Sequence, residues 1–134
     1  MLAPTPFRDR SPTAQLIVAG VVPMLIGGLA GVLVGVSAAA YWAIAALAAV
    51  GAFLSGFEHA DGWEAADRGL ISGLIYGTSL LLAHELAGTH AKASLGSMPA
   101  LLAVVTAVAG SLLCAAGGHL ARLQRGQPAA AREP

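Results

Sequence analysis

The chain is short of charge. Only 10% of its 134 residues are Asp, Glu, Lys or Arg, seven acidic and seven basic, where a soluble domain carries about 25%. So little polar surface excludes an ordinary water-soluble fold. The zero formal net charge excludes the basic footprint of a nucleic-acid-binding domain. Cysteine is nearly absent too. Cys114 stands alone in an apolar run, so there is no intramolecular disulfide and no cysteine metal site, and the residue reads as a small core side chain. Enzymatic signatures are missing as well: no zinc-protease helix motif, no phosphate-binding glycine loop, no GxGxxG between strand and helix. Ser55, Ser72, Ser79 and Ser111 lie in apolar runs without a base at matching depth. These absences predict a protein that is not an enzyme and carries no cofactor.

What remains is apolar and rich in glycine. Hydrophobic residues make up 57% of the chain, and its mean hydropathy is +0.75. Four apolar stretches, about 14–36, 39–57, 65–87 and 99–120, each approach the roughly 20 residues that cross a bilayer core of about 30 Å. The expected fold is an all-α integral membrane domain over 11–123, flanked by disordered tails at 1–10 and 124–134. Only Ser37 and its neighbours separate the first two spans, which predicts two tight antiparallel hairpins, spans one–two and three–four. Ser11 and Ser97 are the expected N-caps of spans one and four. Pro23 is expected to kink span one, because it removes a backbone donor. A signal peptide is the competing reading of the N-terminus, with Arg8 and Arg10 as its basic region and Ala38-Ala39-Ala40 as a cleavage site. Its apolar region, about 23 residues against 7–15, is too long for that.

Two spans carry the same ladder. Gly27, Gly31 and Gly35 sit four apart in the first, and Gly69, Gly73 and Gly77 sit four apart in the third. Four-residue spacing puts each trio on one helical face and opens a groove for a second backbone. The matching registers make a parallel internal repeat a candidate. The surplus of grooves predicts helix–helix association, as a homo-oligomer or with other membrane subunits. The stretch from Gly51 to Gly77, about a fifth of the chain, resembles small uncharacterised glycine-rich prokaryotic membrane proteins. That resemblance implies no activity.

Arg8, Arg10, Arg68, Arg122, Arg125 and Arg132 fall on one side of four spans and Lys92 on the other. The positive-inside rule then predicts a multi-pass protein of the prokaryotic plasma (inner) membrane with both termini cytoplasmic. In the acidic loop, Asp61 followed by Glu64 fits a helix cap, Glu64 and Arg68 are spaced to pair, and Trp63 suits the headgroup level. Ionisable residues at span ends are the candidate polar or ion sites: Glu58 and His59 at one end, His84 and Glu85 at the other. One alternative function follows, a small oligomeric channel or transporter with mouths at Glu58/His59 and His84. Another is haem or metal binding by His59 and His119.

Overall fold

The computed structural model describes residues 9–59 and 61–126; of the tails expected at 1–10 and 124–134, residues 1–8 and 127–134 lie outside them, and 124–126 belong instead to the last helix. All regular structure among the described residues is helical. Four helices are long and apolar enough to cross a membrane: α1 (Pro12–Val36), α2 (Ala38–Gly56), α3 (Gly62–Ala87) and α4 (Pro99–Gly126).

Local chemistry sets their ends. Ser11 Oγ accepts from Ala14 N at 3.3 Å, with Pro12 at the first helical position. Ser37, in extended backbone, ends α1 and caps α2. Asp61 Oδ1 accepts from Glu64 N at 2.9 Å to start α3. Gly88 adopts φ 61° and ends it, a left-handed conformation that favours glycine. Helix α4 corrects two expectations. It opens on Pro99, so Met98 rather than Ser97 flanks it, because the fixed φ of proline suits the first helical position. It also continues six residues past Leu120. Ala121 is buried there, and Arg125 bonds back to Ala121 O through Nε and across to His59 O through Nη2.

The backbone just before Pro23 carries a specific device. Residues Ile17–Val21 form a π-helical turn, with Val22 N bonded to Ile17 O, before the α-helix resumes. Proline has no N–H for the carbonyl of Ala19, four residues back. Ser72 Oγ on α3 donates to that carbonyl instead, at 3.2 Å. An interhelical hydrogen bond in a membrane contributes about 0.6 kcal/mol on average.

The helices form a ring in the order α1, α3, α4, α2. The α3–α4 and α1–α3 interfaces are the most extensive, α2–α4 and α1–α2 are smaller, and α2 barely touches α3 across the diagonal. A Cβ placed on Gly27 would meet the carbonyl of Tyr76, and one on Gly31 the carbonyl of Leu80. The numbers rise together, so α1 and α3 run parallel. A Cβ on Gly69 would meet Gly110 O, one on Gly73 Thr106 O, and one on Gly77 Ala103 Cα at 2.8 Å, so α3 and α4 run antiparallel. The two trios of equal register therefore face different partners. A two-fold axis along the bundle would set α1 and α3 on opposite corners, whereas here they are neighbours. Helix α2 meets α4 at Gly56 against Cys114 and at Phe53 against Gly117.

Size is distributed the reverse of a soluble core. Gly27, Ala30, Gly31, Ala65, Gly69, Gly73, Gly77, Ala107, Gly110, Gly117 and Gly118 are buried, while Leu25, Leu47, Leu86 and Leu112 stand more than 60% exposed. Small residues set how closely the backbones approach, and large apolar residues cover the outside, as lipid contact requires.

Neighbouring glycines on α1 give a controlled test. Gly27→Ala forces a Cβ against the Tyr76 backbone, whereas a Cβ on Gly28 meets nothing within 4 Å. Reversible unfolding in mixed micelles should show Gly27→Ala less stable by about 1–3 kcal/mol. Gly28→Ala should be neutral, or more stable by up to about 1 kcal/mol through helix propensity. Equal effects at both positions would mean that the close approach of α1 to α3 is absent.

Candidate functional site

Both ends of the chain's described part meet at one end of the bundle, where charge gathers. Arg10 Nη2 donates to Glu58 Oε1 at 2.8 Å, with side chains 22% and 20% exposed. Gln15 Nε2 holds the Arg10 carbonyl at 2.9 Å, which steadies the segment that delivers Arg10. Glu58 Oε2 is buried without a hydrogen-bond partner. His59 is 6% exposed. Its Nδ1 lies 3.1 Å from Ser55 O; a carbonyl only accepts, so Nδ1 carries the proton of the neutral ring. Burial pushes its pKa below the ordinary 6.5 and the Arg68 charge adds to that, while the Ser55 bond and the Glu58 and Glu64 charges oppose it.

The other candidate residues lie apart. His84 is half-buried at the α1–α3 contact, where a Cβ on Gly31 would come 3.0 Å from its backbone N. Its Nδ1 is buried without a hydrogen-bond partner. Glu85 beside it is exposed. His119 is exposed on α4 next to Arg122 and Leu123, while His59 is buried. Among the described residues no group of three or more His, Cys, Asp or Glu converges, so the metal or haem reading gains no donor set beyond those two histidines.

One feature lies outside all of these candidates. A cleft of about 440 Å³ runs between the four helices and opens outward past the exposed Trp42 and Leu47 of α2. Its cause is the ring itself. Glycine contacts draw α1, α3 and α4 together, while the middle of α2 contributes the small residues Ala45, Ala48, Ala49, Gly51 and Ala52, between Tyr41 and Trp42 at one end and Ser55 at the other, and side chains that small leave space unfilled. Packed interiors seldom contain voids larger than a water molecule, whereas ligand sites span about 300–1,000 Å³. Arg68 is the one charged residue lining it among the described residues; Ser55, Ser72, Tyr41, Tyr76, Thr106 and Cys114 add polar atoms. Cys114 Sγ donates to Ala52 O at 2.9 Å and lies 3.2 Å from Ser55 Oγ, tying α4 to α2 toward the end of the bundle that holds Glu58 and His59. Neither Glu58, His59 nor His84 lines the cavity, so they are not its mouths.

Sequence reasoning spaced Arg68 to pair with Glu64 and set Ser72 aside as a serine in an apolar run without a base. A signal for both was present. Arg68, Ser72 and Tyr76 repeat at four-residue steps, one position before Gly69, Gly73 and Gly77, so a polar stripe runs beside the glycine ladder on the same helix. No family model matches the chain, and no curated protein or solved structure matches it.

The lowered pKa of His59 has a pH consequence. A ring kept neutral in the fold stabilises it fully above the unfolded value of 6.5, and that stability is lost as pH falls through the lower folded value, because the unfolded chain then binds more protons. Thermal melts at about pH 7.5 and about pH 5 should show a loss on acidification that shrinks in His59→Gln. An identical acid loss in the variant would remove His59 from the effect.

Proposed function

We propose that the chain is a small non-enzymatic polytopic membrane protein that works by binding an apolar or amphipathic molecule in its cleft. The observation that carries this reading is the cleft of about 440 Å³, lined by all four helices and mostly apolar, with the Arg68, Ser72 and Tyr76 stripe on α3 and single polar groups on α2 and α4. In it, α1–α2 and α3–α4 are two hairpins, the first turning at Ser37 and the second through residues 88–98, and glycine ladders lock α1, α3 and α4 into one wall. Helix α2, with its smaller contacts, is the wall that yields to admit a ligand from the bilayer. The arginine distribution supports cytoplasmic termini in a prokaryotic plasma membrane.

Two further readings draw less from the geometry. Helix–helix association as an oligomer or accessory subunit rested on surplus grooves, and all six ladder glycines face residues of the same chain. For the small oligomeric channel with mouths at Glu58/His59 and His84, these residues do not line the cleft among the described residues of the single chain.

Filling the cleft tests the binding reading. Ala48 lines it from α2, and Ala48→Phe puts a ring into the space. Lipid extracts of protein purified in mild detergent should contain an amphiphile near one per chain in wild type, and it should be depleted in Ala48→Phe at unchanged helix content. Equal extracts from both proteins would rule out the cleft as the site.

A further inference from the structure

The cleft discriminates along its length. Arg68 lies at the end near the chain termini, and Ser72 and Tyr76 follow it one and two turns along the same wall. Opposite them stand Ala45, Ala48 and Ala52 of α2. From Arg68 to Tyr76 the helix rises about 12 Å. That is close to the hydrocarbon depth of one bilayer leaflet, about 15 Å. A molecule matching this wall has one anionic end and one unbranched apolar chain of leaflet length. Among the described residues Arg68 carries the charge on the lining, while Glu58, ion-paired to Arg10, lies outside it.

Resting on the reading of the cleft as a binding site, we propose that its ligand is a free medium- or long-chain carboxylate, head on the Arg68 guanidinium and chain along the alanine wall of α2. The planar guanidinium fork matches a carboxylate through two parallel hydrogen bonds. A phosphate head fits less well. Arg68 interacts electrostatically with Glu58, whose Oε2 is buried without a hydrogen-bond partner, and a doubly charged head meets about twice the repulsion from that carboxylate that a singly charged one does. A neutral alcohol fills the apolar wall equally well but forfeits the charge-assisted bond.

Native mass spectrometry of the delipidated protein in phosphatidylcholine nanodiscs, titrated with dodecanoate, dodecanol and dodecyl phosphate, tests this. One dodecanoate should bind per chain, about tenfold or more tighter than dodecanol, as one charge-assisted hydrogen-bonded contact implies. Arg68→Gln should bring dodecanoate to the level of dodecanol, Arg68→Lys should keep part of the difference, and Ala48→Phe should weaken all three ligands. Dodecanol binding as tightly as dodecanoate, Arg68→Gln binding like wild type, or dodecyl phosphate binding tightest would each overturn the carboxylate assignment while leaving the cleft as a binding site. Wild type binding none of the three, or Ala48→Phe binding them unchanged, would overturn both. Should Arg68→Gln lose its helical circular dichroism, the dodecanoate-to-dodecanol ratio on wild type decides alone.

Discussion

The structure depends on how closely other backbones approach α3. On one flank α1 places Gly27 and Gly31 against the carbonyls of Tyr76 and Leu80; on the other α4 places Gly110 against Gly69, and its Thr106 and Ala103 against Gly73 and Gly77. Lipid offers helices no hydrophobic drive to associate, so contact at van der Waals distance must supply the attraction. A single Cβ at most of these positions would meet backbone rather than the end of a flexible side chain, and backbone does not step aside cheaply. Glycine is needed here for its lack of a side chain, not for its conformational freedom, since all these residues are helical.

A consequence is asymmetry. Three helices are drawn together, and the fourth is held at its ends. At one end, Ser37 is the sole break between α1 and α2. At the other, Gly56 sits against α4 and Cys114 bonds to Ala52. Between these points α2 is lined with alanines, and the diagonal stays open. The repair of Pro23 belongs to the same economy. The carbonyl that proline orphans on α1 is satisfied by Ser72, a residue of the polar stripe, so α1 and the cleft wall of α3 are fastened at the depth where the cleft begins.

Much of the fold was legible because it rests on local rules. Span number followed from hydropathy, the start of α3 from Asp61 and Glu64, and the end of α1 from Ser37. The end of α4 was not, because Ala121 and Arg125 continue the helix through contacts with the rest of the bundle, including the His59 carbonyl, and such contacts are not written in α4 alone. Ladder spacing told which face was groove, but not that the trio on α1 would meet α3 while that on α3 would meet α4. That choice depends on ring order, a global property. The same ignorance hid the cleft: Arg68 reads as an ordinary span-end cation until α2 is known to lie across from it. Glu58, His59 and His84 stood out as ionisable residues in apolar surroundings, yet the cleft is lined instead by Arg68 and the less conspicuous Ser72 and Tyr76.

The account's central claim is that four helices of one chain close into a ring with α2 against α4. Ser55 Oγ lies 3.2 Å from Cys114 Sγ across that contact. Ser55→Cys therefore places two thiols within reach of a disulfide. Mild oxidation in membranes, read by non-reducing gel and intact mass, should give an internal disulfide in a monomeric band. A disulfide found only between chains, or none at all, would contradict the ring.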